Sequence, residues 1–217
     1  MNLGQLRTRF RRATGDTKAP YLWRDEEIDD NANDAVDEAC RRSNLIVDSS
    51  SNVALVYASA GDEAITLDPS IIYVRRVTRT ATGRALAPRV SRAMDEAIPG
   101  WENAVASVPV AFVPDWETGK LRLWPPTASD ETFRMTVIRT PLNQMVEDED
   151  EPEIAPRFHG ALLDWMLHLG YLKQDADTFD PKKAAQHEER FTAEFGQPSA
   201  AIDETFGHEQ YYDIGYR

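Results

Sequence analysis

A single cysteine, Cys40, stands among 217 residues, so the chain has no internal disulfide to form. It falls on the apolar side of an expected helix, where a thiol serves as a small buried hydrophobe rather than a nucleophile. No run approaches the roughly 20 apolar residues that cross a bilayer. No secretory leader is expected either: Leu3, Leu6 and Phe10 alternate with Arg7, Arg9, Arg11 and Arg12, and no apolar stretch follows. The protein is therefore expected to stay in the cytoplasm where it is made, unless it leaves within a larger particle. Positive charge is in deficit, with a net charge of −13. That argues against broad wrapping of nucleic acid, which needs clustered cations to displace counterions. HExxH, CxxC, Walker and GxSxG patterns are all absent from the sequence.

What is present is enough apolar matter to fold: 41% hydrophobic residues against 28% charged. The charge is laid out in blocks. Residues 1–24 carry six cations and one acid, whereas residues 25–38 carry eight acids and no cation. Such blocks either pair between subunits or form two ordinary solvated helix faces. Arginine outnumbers lysine nineteen to five, and its planar fork makes the more specific interface pairs.

Helical spacing predicts a first helix over Leu3–Thr14, with Asn2 as N-cap and Gly15 as its stop. After a loop, Tyr21, Leu22 and Trp23 form an apolar plug. A second helix starts near Asp25, with acids in its first turn and Arg41 and Arg42 in its last. Ile28, Ala32, Ala35, Val36, Ala39 and Cys40 form its apolar face.

From about residue 45 to 145 the period changes to short β-rich runs: Val53–Ala58, Ala64–Leu67, Ile71–Thr80, Arg84–Val90, Val108–Val113, Lys120–Trp124 and Thr132–Thr140. Ser91–Ala97 reads as a short helix among them. The acidic run 147–153 reads as a hydrated linker. A strongly apolar helix is then expected from Pro156 to Gln174, with Phe158 and Trp165 near the centre of its core. A last helix begins at Asp180 and Pro181 and closes at Gly196.

The expected fold class is α+β. Residues 1–44 and 156–196 supply a four-helix bundle, and an antiparallel β domain (sandwich or open barrel) is inserted at 45–146. An acidic linker occupies 147–155 and an arm 197–217. The arm lacks periodicity yet holds Phe206, Tyr211, Tyr212 and Tyr216. A merely disordered tail is poor in aromatics, so this segment reads as one that becomes ordered on a partner, or one that folds back on its own domain.

Catalytic constellations are weak. His159 and Asp164 are five apart and turn away from each other, whereas His168 lies four from Asp164, within reach of it. Asp175–Asp180 has a calcium-loop outline, but Asp180 and Gln186 stand where glycine and glutamate are needed. The acidic run 147–153 reads as solvated rather than as a cation site. With 37 acidic residues, a chance carboxylate pair suited to glycoside hydrolysis carries no specificity. No catalytic residue, cofactor or metal is expected.

The stretches Asn2–Arg7, Tyr21–Ile28, Arg157–Trp165 and Tyr171–Asp180, with His187–Phe191 in the last helix, resemble phage head–tail adaptor (connector) proteins. The resemblance implies a virion structural protein at the head–tail junction, made in the host cytoplasm. It implies a ring, commonly of twelve copies, beneath the portal. Such a ring joins the portal to a downstream tail component, a nozzle or stopper, and surrounds the DNA exit channel. DNA passes without specific binding, and no membrane is involved. Carried onto this sequence, the portal-gripping role falls on Phe206, Tyr211, Tyr212, Tyr216 and Arg217. A ring needs two different complementary faces on each subunit. Arg7, Arg11 and Arg12 on the first helix, with Asp29 and Asp30 on the second, are the expected subunit contacts. The alternatives are another virion component, a stopper or minor capsid protein, or a hydrolase acting through carboxylates.

Overall fold

A computed structural model of the chain describes residues 1–198. Its class is α+β, with five α-helices and two four-stranded sheets among the described residues. The described chain divides into a helical unit, residues 1–46 and 140–198, and a β unit, residues 47–139.

In the helical unit, α1 (Leu3–Thr14) opens with a full capping box between Asn2 and Gln5 and ends at left-handed Gly15. It buries Leu3, Leu6 and Phe10. Helix α2 (Asp25–Ser43) buries the expected Ile28, Ala32, Ala35, Val36, Ala39 and Cys40. With α4 (Leu162–Tyr171) and α5 (Pro181–Phe195) they share one hydrophobic core. Asp180 caps α5 by accepting from the Lys183 amide at 3.0 Å.

Three expectations for this unit are corrected. The helix expected over Pro156–Gln174 is a 3₁₀ turn at Pro156–Phe158 followed by the shorter α4. At its far end the chain turns early because the Asp180 amide and the Thr178 hydroxyl take the carbonyls of Tyr171 and Lys173. Phe158 and Trp165 lie at the margin, packed against a core whose fully buried aromatics are Phe10, Phe191 and Phe195. The acidic run is more than a spacer. The carbonyls of Asp150 and Asp148 accept the first helical amides of α1, from Leu3 at 2.8 Å and Gly4 at 3.0 Å. Those amides have no partner inside the helix, and acidic side chains suit a helix N-terminus. A side chain at Gly4 would press on Asp148 at 3.3 Å, so glycine permits the approach.

In the β unit, the strands are β1 (Ile46–Asp48), β2 (Leu55–Ala58), β3 (Ala64–Thr66), β4 (Ile71–Arg79), β5 (Ala87–Pro88), β6 (Ala111–Glu117), β7 (Lys120–Trp124) and β8 (Glu131–Arg139), with the short helix α3 at Ser91–Ala97. Strand β8 is the axis of the first sheet. It pairs antiparallel with β2 and β4 and also bonds β1. The second sheet runs β3-β7-β6-β5. Inner side chains of both sheets, including Val74, Val77, Phe112, Leu121, Leu123, Phe133 and Met135, share one core.

The expectation of a purely antiparallel domain is corrected at one edge, where β5 pairs with β6 in parallel. A parallel pair needs a long crossover, and the stretch containing α3 supplies it. Strand β5 is shorter than expected because Pro88 cannot donate to a ladder. Strand β6 shifts register between Val113 and Glu117, a stretch that begins with Pro114.

Candidate functional site

With no catalytic constellation expected, the candidate sites are charged and aromatic surfaces. On α1, Arg7 and Arg11 are one turn apart, and on α2 so are Asp25 and Asp29. The two rungs match. Arg7 grips Asp29 through both Nε (3.0 Å) and Nη2 (2.7 Å), and its Nη1 donates to Asp148 at 2.8 Å. The bond from Asp29 leads the causes that hold the Arg7 guanidinium above the usual arginine range, with Asp148 adding to it. Arg11 donates to buried Asp16 at 2.7 Å and to Asp25 at 2.6 Å, and its guanidinium lies 3.8 Å from the Tyr21 ring centre. Arg7, Arg11 and Asp29, expected at a subunit contact, are thus engaged within the chain. Arg12 and Asp30 are exposed.

The opposite side of α2 differs. Glu26, Asp30, Asp34 and Asp37 recur at helical spacing and are all exposed. Partial burial first, then the neighbouring acid, raises the carboxyls of Asp34 (beside Asp30) and Asp37 (beside Asp34). Arg41 partly offsets this at Asp37.

The histidines brace helices. His159 is buried, with Nε2 at 2.9 Å from the Ile154 carbonyl. The possible contact of His168 with Asp164 gives way to another pair: Asp164 takes His187 Nδ1 of α5 at 2.7 Å, while His168 faces the Ala184 carbonyl at 3.0 Å. No spacing rule marked His187, because the contact is between helices. Asp175 and Asp180 act as turn and cap residues. Among the described residues, no group of three or more His, Cys, Asp or Glu side chains is placed to hold a metal ion. No described helix is long and apolar enough to cross a membrane.

The β unit adds two features that the sequence reading missed. Arg122 is buried between Trp101 and Trp116, its carbon centre 5.2 and 4.4 Å from the two rings. It donates to the Glu102 carbonyl and pairs with Glu63. The outer face of the first sheet shows Leu55, Tyr57, Arg76 and Arg134 to solvent. Alternation along β2, β4 and β8 was the available signal, since it sets these side chains opposite the inward Val56, Val77 and Phe133.

Phe206, Tyr211, Tyr212, Tyr216 and Arg217 lie outside the described residues. A model of the SU10 adaptor protein family matches residues 1–208. The chain belongs to the SU10 adaptor protein family. This agrees with the resemblance to phage head–tail adaptors read from its helical segments, and makes the chain a phage structural adaptor. The matched stretch takes in Phe206 and ends before Tyr211. No curated protein matches the chain in sequence.

Proposed function

We propose that the chain forms a ring beneath the portal of a tailed phage, links it to the next tail component and surrounds the DNA exit channel. The observation that carries this reading is the family match over nearly the whole chain. In this reading α1, α2, α4 and α5 act as one four-helix bundle, the β unit is an inserted contact module, and the segment from 197 onward is a portal-gripping arm. Arg12 and Asp30 keep the exposure that a subunit contact requires.

Charge supports a conduit. The helical unit holds 13 Lys and Arg against 22 Asp and Glu, and the β unit 10 against 11. Among the described residues, acidity is therefore concentrated in the helical unit. A negative wall repels DNA and lets it slide. The arm is tested by deleting residues 197–217 and measuring retention on immobilised portal. Circular dichroism should show a folded protein that no longer binds. Retention equal to that of the full chain would remove the arm from the portal contact.

A further inference from the structure

The ring reading requires two unlike faces that fit each other, and the α1–α2 ladder is closed within the chain. The acids that remain are on the outer side of α2. Four like charges at helical spacing oppose one another. Partial burial first, and then the neighbouring acid, raises the carboxyls of Asp34 and Asp37. A cationic partner would relieve both.

The exposed arginines among the described residues include Arg9 and Arg12 on α1 and Arg76 and Arg134 on the first sheet. Arg9 and Arg12 lie on α1, where exposed Thr8 and Ala13 beside them offer little to pack on. The sheet face is richer. Tyr57 is 60% exposed and Leu55 41% exposed, and both point outward from β2. Arg134 on β8 stands directly between Leu55 and Thr78, and Arg76 lies two residues along β4 from Thr78. Arg134 is exposed and is held by a 2.8 Å bond from Nη1 to the Ser49 carbonyl. Arginine and tyrosine together are the composition of residues that dominate binding energy.

We propose that this face is a docking surface for α2 of a second copy of the chain, with Arg76 and Arg134 taking carboxylates of the Glu26–Asp37 stripe and Leu55 and Tyr57 packing beside them. The spacing fits. Diagonal neighbours on adjacent strands are about 7–8 Å apart. Asp30 and Asp34, one turn apart on α2, are separated by about 6 Å along the axis. Each arginine can therefore meet its own carboxylate. The contact is heterologous, sheet face to helix face, which is the kind that closes a ring. It rests on the ring reading above and names the surfaces that build the ring.

A charge swap tests it. Full-length chain is mixed with its portal ring, and bound copies are counted by native mass spectrometry. Arg76→Glu/Arg134→Glu should lower multi-copy assembly at least about tenfold, because like charges then face each other. Asp30→Arg/Asp34→Arg should do the same. A chain carrying all four changes should assemble to within about threefold of the original, since complementarity is restored with reversed sign. Thermal melts check that each variant folds, and rescue by the quadruple variant excludes misfolding as the cause. If the quadruple variant is as defective as the doubles, or the doubles assemble normally, the contact is wrong while the ring stands. If the unaltered chain binds portal only as a single copy, the ring reading itself falls. If Arg76→Glu/Arg134→Glu abolishes binding to duplex DNA while assembly is untouched, the face serves DNA and the contact is overturned.

Discussion

At the scale of single residues, the helical core turns on a close approach that only glycine allows. Gly170 of α4 faces Phe10, and a Cβ there would lie 2.6 Å from Phe10 Cζ, on a ring that is fully buried. Trp23 closes the same spot, donating from Nε1 to the Gly170 carbonyl at 3.1 Å and meeting Phe10 edge-on. Gly170→Ala should therefore destabilise the protein by about 1–3 kcal/mol in a denaturant titration, although alanine is the better helix former. In the β unit, Asp48 pairs with Arg139 at 2.7 Å, both nearly buried. Burial pushes the Asp48 carboxyl up, but bonds from Ser51, Arg139 and the Ser50 amide outweigh it and hold the group well below the usual carboxylate range. Its stabilising contribution is complete above the ordinary carboxylate pKa and is lost as pH falls below about 4. Between about pH 5 and 2 the unaltered protein should lose stability more steeply than Asp48→Asn. Parallel slopes in acid melts would count against it. Trp23 was legible in the sequence as an apolar plug. Its partner, Gly170, was not, because a glycine inside an apolar helix carries no mark of what lies across from it.

At the scale of elements, caps and periodicity fixed most of the helices. Asn2 with Gly15, and Asp180 with Pro181, set the limits of α1 and α5 where local chemistry placed them. Helix α4 was overestimated, since its apolar residues continue through a turn that the Thr178 and Asp180 bonds fold differently. The two charge blocks of α1 and α2 are visible in the sequence, where they read either as subunit contacts or as two solvated helix faces. The matching one-turn spacing of Arg7 and Arg11 against Asp25 and Asp29 was the signal that points inside the chain. Arg7→Ala removes a bidentate bond to Asp29 and the bond to Asp148 that helps fix the acidic run on α1. It should cost about 1–2 kcal/mol of stability in a denaturant titration, and less at high salt. An unchanged transition midpoint would mean that the ladder is ornamental. The opposite sign holds on the outer side of α2. Asp34 is raised by burial and then by Asp30, and Asp37 by burial and then by Asp34, so their ionised forms disfavour the isolated fold near neutral pH. Asp34→Asn should thus leave the melting temperature equal or higher while weakening assembly. A clear fall in melting temperature would show that the stripe supports the fold itself.

At the scale of the whole molecule, the division of labour follows from charge as much as from fold. The helical unit carries the acidity, whereas the β unit is nearly balanced and offers the exposed arginine and aromatic surface. That β strands would occupy the middle of the chain was legible from the change of period. A sandwich or open barrel was legible too, but the parallel join of β5 to β6 was not, because it runs through a long crossover that local patterns do not announce. The adaptor assignment itself rested on soft packing and capping motifs, and the family match over residues 1–208 gives it its footing. The most direct test is the native mass of the full-length chain alone and after addition of its portal ring. Many copies bound to one portal ring, as a closed assembly of fixed number, is the predicted result. A portal ring whose mass is unchanged, or which carries a single copy, would contradict it.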